Sequence, residues 1–158
     1  MAREIERKWV AERPPSVELL GRGTALRQGY VAIDGNVTVR VRITEKQAWL
    51  TIKAGEDDLD RTEVEVDLDL AEAEDLWRHT GERRLEKTRH RIPVDEYTAE
   101  VDLFDGPLRG LCLVEVEFPS RDAAATFAAP DWFGREVTGQ PGWSNAALAR
   151  HGLPADSE

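Results

Sequence analysis

Seven stretches of this chain alternate charged with apolar residues, and the charges within a stretch are mostly of one sign. In an extended strand, residues at i, i+2 and i+4 share a face. Glu4, Glu6 and Lys8 therefore fall on one face, as do Arg40 and Arg42, opposite Val37, Val39, Val41 and Ile43. Lys53 shares a face with Trp49 and Thr51, and Glu63 and Glu65 oppose Val64 and Val66. Lys87, Arg89 and Arg91 form a basic row, Glu100 and Asp102 oppose Val101 and Leu103, and Glu115 and Glu117 oppose Val114, Val116 and Phe118. The solvated side of an ordinary antiparallel sheet would produce alternation. Such a side interleaves signs, however, and like charges set side by side cost energy unless something binds between them.

The same alternation predicts eight strands, over about 3–11, 24–33, 36–44, 47–54, 61–69, 83–92, 97–104 and 110–118. Asp34-Gly35-Asn36 is a hairpin signal, Glu45-Lys46 a tight turn, 55–60 a polar loop and Asp105-Gly106-Pro107 another turn. Short turns imply antiparallel pairing, and eight strands can close into a barrel that has no edges. Short helices interrupt the strands. Pro14 and Pro15 open one carrying Val17, Leu19 and Leu20. Asp69 and Glu72 form a capping box before Ala73, Leu76, Trp77 and Thr80, with Gly81 as the stop. Ser120 caps a third helix, and Ser144 a fourth closed by Gly152. The expected fold is mostly β (α+β): a closed eight-stranded antiparallel tunnel with short helices outside. It forms one domain over 1–153, followed by a disordered tail at 154–158.

Composition narrows the function. The 158 residues carry a net charge of −10, which repels nucleic acid and anionic membrane outside any local basic site. The single Cys112 excludes a disulfide scaffold and reads as a small core residue, and the three His lack zinc spacing. No apolar run approaches the ~18 residues of a membrane span, and the N-terminus lacks a signal-peptide core. The expectation is a cytoplasmic protein. Turned inward, Lys8, Arg40, Arg42, Lys53, Lys87 and Arg89 would converge on a polyanion, with Arg forking onto phosphate oxygens and Lys acting as a point charge. The carboxylates suit a hard divalent cation such as Mg2+. Phosphate, Mg2+ and acidic side chains together are the equipment of phosphoryl transfer.

The ordered set of motifs resembles the triphosphate tunnel metalloenzymes, the CYTH superfamily. It comprises Glu4-x-Glu6-x-Lys8, Arg40-x-Arg42, Lys53, Glu63-x-Glu65, Lys87-x-Arg89, Asp102 and Glu115-x-Glu117. Trp143-Ser144-Asn145 is similar to the Tyr-Ser-Asn stretch that opens the last helix in short bacterial members. The resemblance implies that Lys8, Arg40, Arg42, Lys53, Lys87 and Arg89 bind the triphosphate. It implies that Glu4, Glu6, Asp102, Glu115 and Glu117 hold Mg2+ or Mn2+. Glu63 and Glu65 would serve catalysis by holding a second metal or orienting water, and Lys8 and Tyr30 would assist water attack. Tyr30 also reads as wall packing, and Arg91 and Glu100 match no core motif.

Gln28-Gly29-Tyr30-Val31 is similar to the inorganic triphosphatase branch of short bacterial members, which implies hydrolysis of tripolyphosphate to pyrophosphate and phosphate. The alternatives are a thiamine- or nucleoside-triphosphatase, an adenylate cyclase on the same fold, or a non-catalytic polyphosphate-binding module. The partner expected is a small polyanion, with neither nucleic acid nor membrane, and a homodimer is one option for assembly.

Overall fold

The computed structural model describes residues 2–57 and 60–155. Its strands are β1 (Ala2–Val10), β2 (Thr24–Asp34), β3 (Val37–Ile43), β4 (Ala48–Asp57), β5 (Asp60–Leu68), β6 (Arg84–Val94), β7 (Tyr97–Phe104), β8 (Cys112–Glu117) and β9 (Arg135–Glu136). The sheet runs β5-β4-β3-β2-β6-β7-β8-β1, and β1 pairs back onto β5, so the eight long strands close an antiparallel barrel. β9 is a two-residue addition to β1. Period-2 patterning does not reveal it, because so short a segment has no period.

The helices are α1 (Val17–Leu20), α2 (Leu70–Trp77), α3 (Arg121–Thr126) and α4 (Asn145–His151). Ser16, rather than Pro14 or Pro15, caps α1 by accepting from the Leu19 amide. The Asp69–Glu72 capping box opens α2. That helix stops at Trp77, short of the expected Thr80 and Gly81. The Thr80 hydroxyl donates to the Trp77 carbonyl, and Gly81 sits at φ +59° in the turn that follows. Ser120 and Ser144 cap α3 and α4, and Gly152 closes α4. The polar loop expected over 55–60 is shorter, because β4 and β5 stay extended to Asp57 and from Asp60; residues 58 and 59 lie outside the described residues. Of the tail expected over 154–158, residues 156–158 also lie outside them. Among the described residues no helix is long and apolar enough to cross a membrane.

Amphipathicity is inverted, and three apolar clusters follow from it. Outward side chains of β1, β6, β7 and β8, including Trp9, Ile92, Val101, Cys112, Val114 and Val116, pack beneath Phe127 and Phe133. Outward Val41, Ile43 and Ala48 meet Ala73 of α2. The third cluster, with Leu85, Phe104 and Leu113, is met by Trp143 and by Leu148 of α4. Leu85, Phe104 and Leu113 share the inward parity of Lys87, Asp102 and Glu115, so the segment ending in α4 caps an apolar patch on the inner wall. Where no helix covers the barrel, Val37, Ile52, Val64 and Val66 remain exposed. Gly29 lets α2 approach, since a Cβ there would stand 2.8 Å from Thr80 and 2.9 Å from Trp77.

Candidate active site

Strand register brings the charged rows together. Lys8 stands opposite Glu115 and Glu6 opposite Glu117 across β1–β8; Lys53 stands opposite Glu63 across β4–β5; Arg89 stands opposite Asp102 across β6–β7. β2–β3 pairs Tyr30 with Arg40 and Gln28 with Arg42. Two cavities mark the ends of the tunnel. One, of about 520 Å3, is lined by Glu6, Lys8, Tyr30, Arg40, Lys53 and the α4 segment. The other, of about 660 Å3, is lined by Arg42, Trp49, Glu65, Arg89 and Arg91.

The basic wall is buried and pre-set. Lys87 is 1 % exposed. Its Nζ lies 2.8 Å from Asp102 Oδ2 and donates to Asn145 Oδ1 at 3.3 Å. Arg89 donates to both Asp102 oxygens at 2.8 Å. Burial works against the Asp102 charge, but Lys87 and Arg89 override it and hold its pKa at about 2. Burial, with Arg89 and Arg42 nearby, pulls Lys87 down to about 7 despite Asp102. Burial beside Arg40 and Arg89 lowers Arg42 to about 9. Arg42 has a neutral partner, Gln28. Arg40 is 4 % exposed and its Nε has no hydrogen-bond partner. A buried guanidinium N–H without an acceptor is costly and suits a site that receives an anion.

The acidic wall has the opposite character. Burial raises Glu6 well above the carboxylate range, and the neighbouring Glu115 reinforces it by hydrogen bonding and charge repulsion. Glu115 is held well below that range against its burial, chiefly by Lys8 and then by its neighbour Glu6. Lys53, 3.0 Å from Glu4 Oε1, keeps Glu4 charged despite burial. Burial and the Glu4 charge raise Glu63. Partial burial, with Glu4, Glu100 and Glu63 nearby, raises Glu117 to about 7. Glu6, Glu63 and Glu117 are thus shifted toward the protonated form, and Glu115 and Glu4 toward the anion. Among the described residues no three His, Cys, Asp or Glu already form a coordination cage. The donors are nevertheless right for a hard cation: crowded carboxyls whose protons a divalent ion would displace. Mg2+ needs only one or two of them because it keeps much of its water.

The remaining expected residues are placed as follows. Lys8 donates to the Trp143 carbonyl at 3.1 Å and lies 3.6 Å from Glu115. Lys8 and Tyr30 line one cavity, but among the described residues no hydrogen bond joins them. Glu65 is exposed at the other end and accepts from Thr51. Glu100 bridges Arg89 and the exposed Arg91, at 3.2 and 3.1 Å. Sequence reasoning missed Gln28 and Asn145. Gln28 carries no charge to mark its face, although its inward parity with Tyr30 is readable. Asn145 reaches Lys87 only through tertiary packing.

A family model described as the CYTH domain matches residues 2–142. The chain is 42% identical over 149 residues to an inorganic triphosphatase of Nitrosomonas europaea, covering 92% of this chain and 96% of that protein. It is 36% identical over 152 residues to an inorganic triphosphatase of Acetivibrio thermocellus, covering 96% of each. A solved crystal structure of an inorganic triphosphatase superposes with a TM-score of 0.67 at 38% identity, covering 92% of this chain and 97% of that one.

Proposed function

The chain belongs to the CYTH domain family, and from that premise we propose that it is a metal-dependent hydrolase of inorganic triphosphate, yielding pyrophosphate and phosphate. The observation that carries this reading is the closed barrel with bases and carboxylates on its inner wall, among them the buried Arg40 whose Nε lacks an acceptor. Arg40, Arg42, Lys53, Lys87, Arg89 and Lys8 bind the triphosphate and neutralise charge that spreads over its oxygens in the transition state. Asp102 orients Lys87 and Arg89; both its oxygens are committed to them, so in this reading it is a positioning residue rather than a principal metal ligand.

Glu4, Glu6, Glu115 and Glu117 would hold Mg2+ or Mn2+, which when bound polarises phosphate oxygens and makes water more acidic. Glu63, 3.6 Å from Lys53, and Glu65, on the lining of the far cavity, would hold a second metal or orient the attacking water. A small polyanion is the partner, and the free Cys112 fits a reducing cytoplasm. Phosphate release from tripolyphosphate, ATP, thiamine triphosphate and pyrophosphate, each with Mg2+, Mn2+ or EDTA, tests the proposal. Tripolyphosphate should turn over fastest and only with metal. Equal rates in EDTA, or faster turnover of ATP, would contradict it.

A further inference from the structure

Gln28 is fully buried on the inner wall, between Arg42 and Tyr30. A side-chain amide has one accepting end and one donating end, and its neighbours decide which faces which. Arg42 can only donate, and its Nε and Nη2 both stand 3.3 Å from Gln28 Oε1. The amide is thereby locked with Nε2 toward Tyr30, and it donates to the phenol oxygen at 3.1 Å. The Tyr30 hydroxyl is then an acceptor toward the wall, so its own proton must point elsewhere. Among the described residues nothing accepts that proton. Tyr30 is 3% exposed, yet it lines the cavity shared by Lys8, Arg40 and Lys53.

We propose that Gln28 is a positioning residue which, fixed by Arg42, aims the Tyr30 hydroxyl as a hydrogen-bond donor into the tunnel, toward a phosphate oxygen or the water that attacks it. The proposal rests on the hydrolase reading above. It assigns Tyr30 a direction, as donor, which its place on the wall does not settle. It also links a base of the phosphate wall to the hydroxyl, because a guanidinium bound to Oε1 polarises the amide and strengthens its donation to the phenol.

Two substitutions separate this role from simple packing. In Q28E the new carboxylate keeps the Arg42 partnership and accepts from the phenol, so the hydroxyl proton turns to the wall. Q28M loses both hydrogen bonds but leaves that proton free. Steady-state kinetics on tripolyphosphate with Mg2+ should show kcat reduced about tenfold or more in Q28E, and less in Q28M. KM in Q28E should rise, since the new carboxylate offsets the Arg42 charge that meets triphosphate; the hydroxyl's direction is read from kcat and from its dependence on Tyr30. A structural role predicts the reverse order, because Q28M loses more contacts. In the Y30F background the extra loss in Q28E should vanish. Melting temperatures of all variants identify any that fail to fold, and the Q28M and Y30F comparison then still decides: Q28M must lose less kcat than Y30F. Q28E as fast as Q28M, or an undiminished extra loss in the Y30F background, overturns the inference. Wild-type kcat in Y30F also overturns it but leaves the hydrolase reading standing. Absence of metal-dependent phosphate release in the parent protein fails that reading instead.

Discussion

Two acidic regions face the same tunnel and have opposite electrostatic character. Asp102 has its cations built in: Lys87 and Arg89 hold it ionised, at about 2. Glu6 and Glu117 look onto other carboxylates, and each is pushed upward, Glu117 to about 7. The residue types are nearly the same, so the difference lies in which neighbours surround each carboxyl: Lys87 and Arg89 offset burial at Asp102, whereas Glu115 adds to it at Glu6, and Glu4, Glu100 and Glu63 add to it at Glu117. A carboxylate paired with protein cations can orient bases for a polyanion. One paired with another carboxylate stores protons that a divalent cation can replace.

Removing Asp102 should have the largest effect on this contrast. D102N leaves the buried Lys87 without its counter-charge and Arg89 with Glu100 alone, which costs about 3–5 kcal/mol. For a chain of this size that is on the order of 10 °C in melting temperature. Tripolyphosphate should restore more stability to D102N than to the parent protein, since it supplies the missing negative charge. A melting temperature equal to the parent's would remove Asp102 from this role. E6Q combined with E117Q should behave in the opposite way. Each amide removes a charge that burial and neighbouring carboxylates disfavour, so metal-free stability should hold, while turnover falls about 10²–10³-fold. Calorimetric melting beside phosphate-release kinetics checks both halves, and an unfolded double variant would contradict the proton assignment.

Between them, the two regions give pH dependences of opposite sign. Asp102 has a lowered folded pKa, so its contribution is complete above 3.8 and is lost as pH falls toward about 2. That contribution is on the order of 2 kcal/mol. Glu117 has a raised folded pKa, so metal-free stability falls as pH rises from 4.5 toward about 7, the span in which only the unfolded chain ionises there. Mg2+ should cancel the second slope and leave the first. Denaturant melts across pH, with EDTA or Mg2+, would show this; identical curves would mean that no cation displaces those protons. The smallest effect belongs to R91A. Its side chain is 62% exposed and paired with Glu100 at 3.1 Å. Melting should record a loss of at most ~1 kcal/mol.

The barrel was legible because inverted amphipathicity has a period. Val37 to Ile43 and Val114 to Phe118 show a facing side as plainly as any soluble strand, and the inward rows of Arg40, Arg42, Glu115 and Glu117 follow by parity. Register was not legible: nothing in the period pairs Arg89 with Asp102 rather than with Glu100, so the counter-ion role of Asp102 emerges only from the sheet. The stop of α2 at Trp77 depends on Thr80 turning back onto the helix, and the Asn145 contact with Lys87 depends on α4 closing the barrel end. Gln28 lacks a charge, and its orientation follows from Arg42, a strand away.

The central claim is that the crowded carboxyls of the Glu6–Glu117 region release protons when a divalent cation binds. Titration calorimetry with Mg2+ at pH near 6.5, in two buffers of different ionisation enthalpy, counts the protons exchanged. The account predicts net proton release on binding to the parent protein, release that persists in D102N and disappears in E6Q with E117Q. Binding without proton release in the parent protein, or equal release in the double variant, would contradict it.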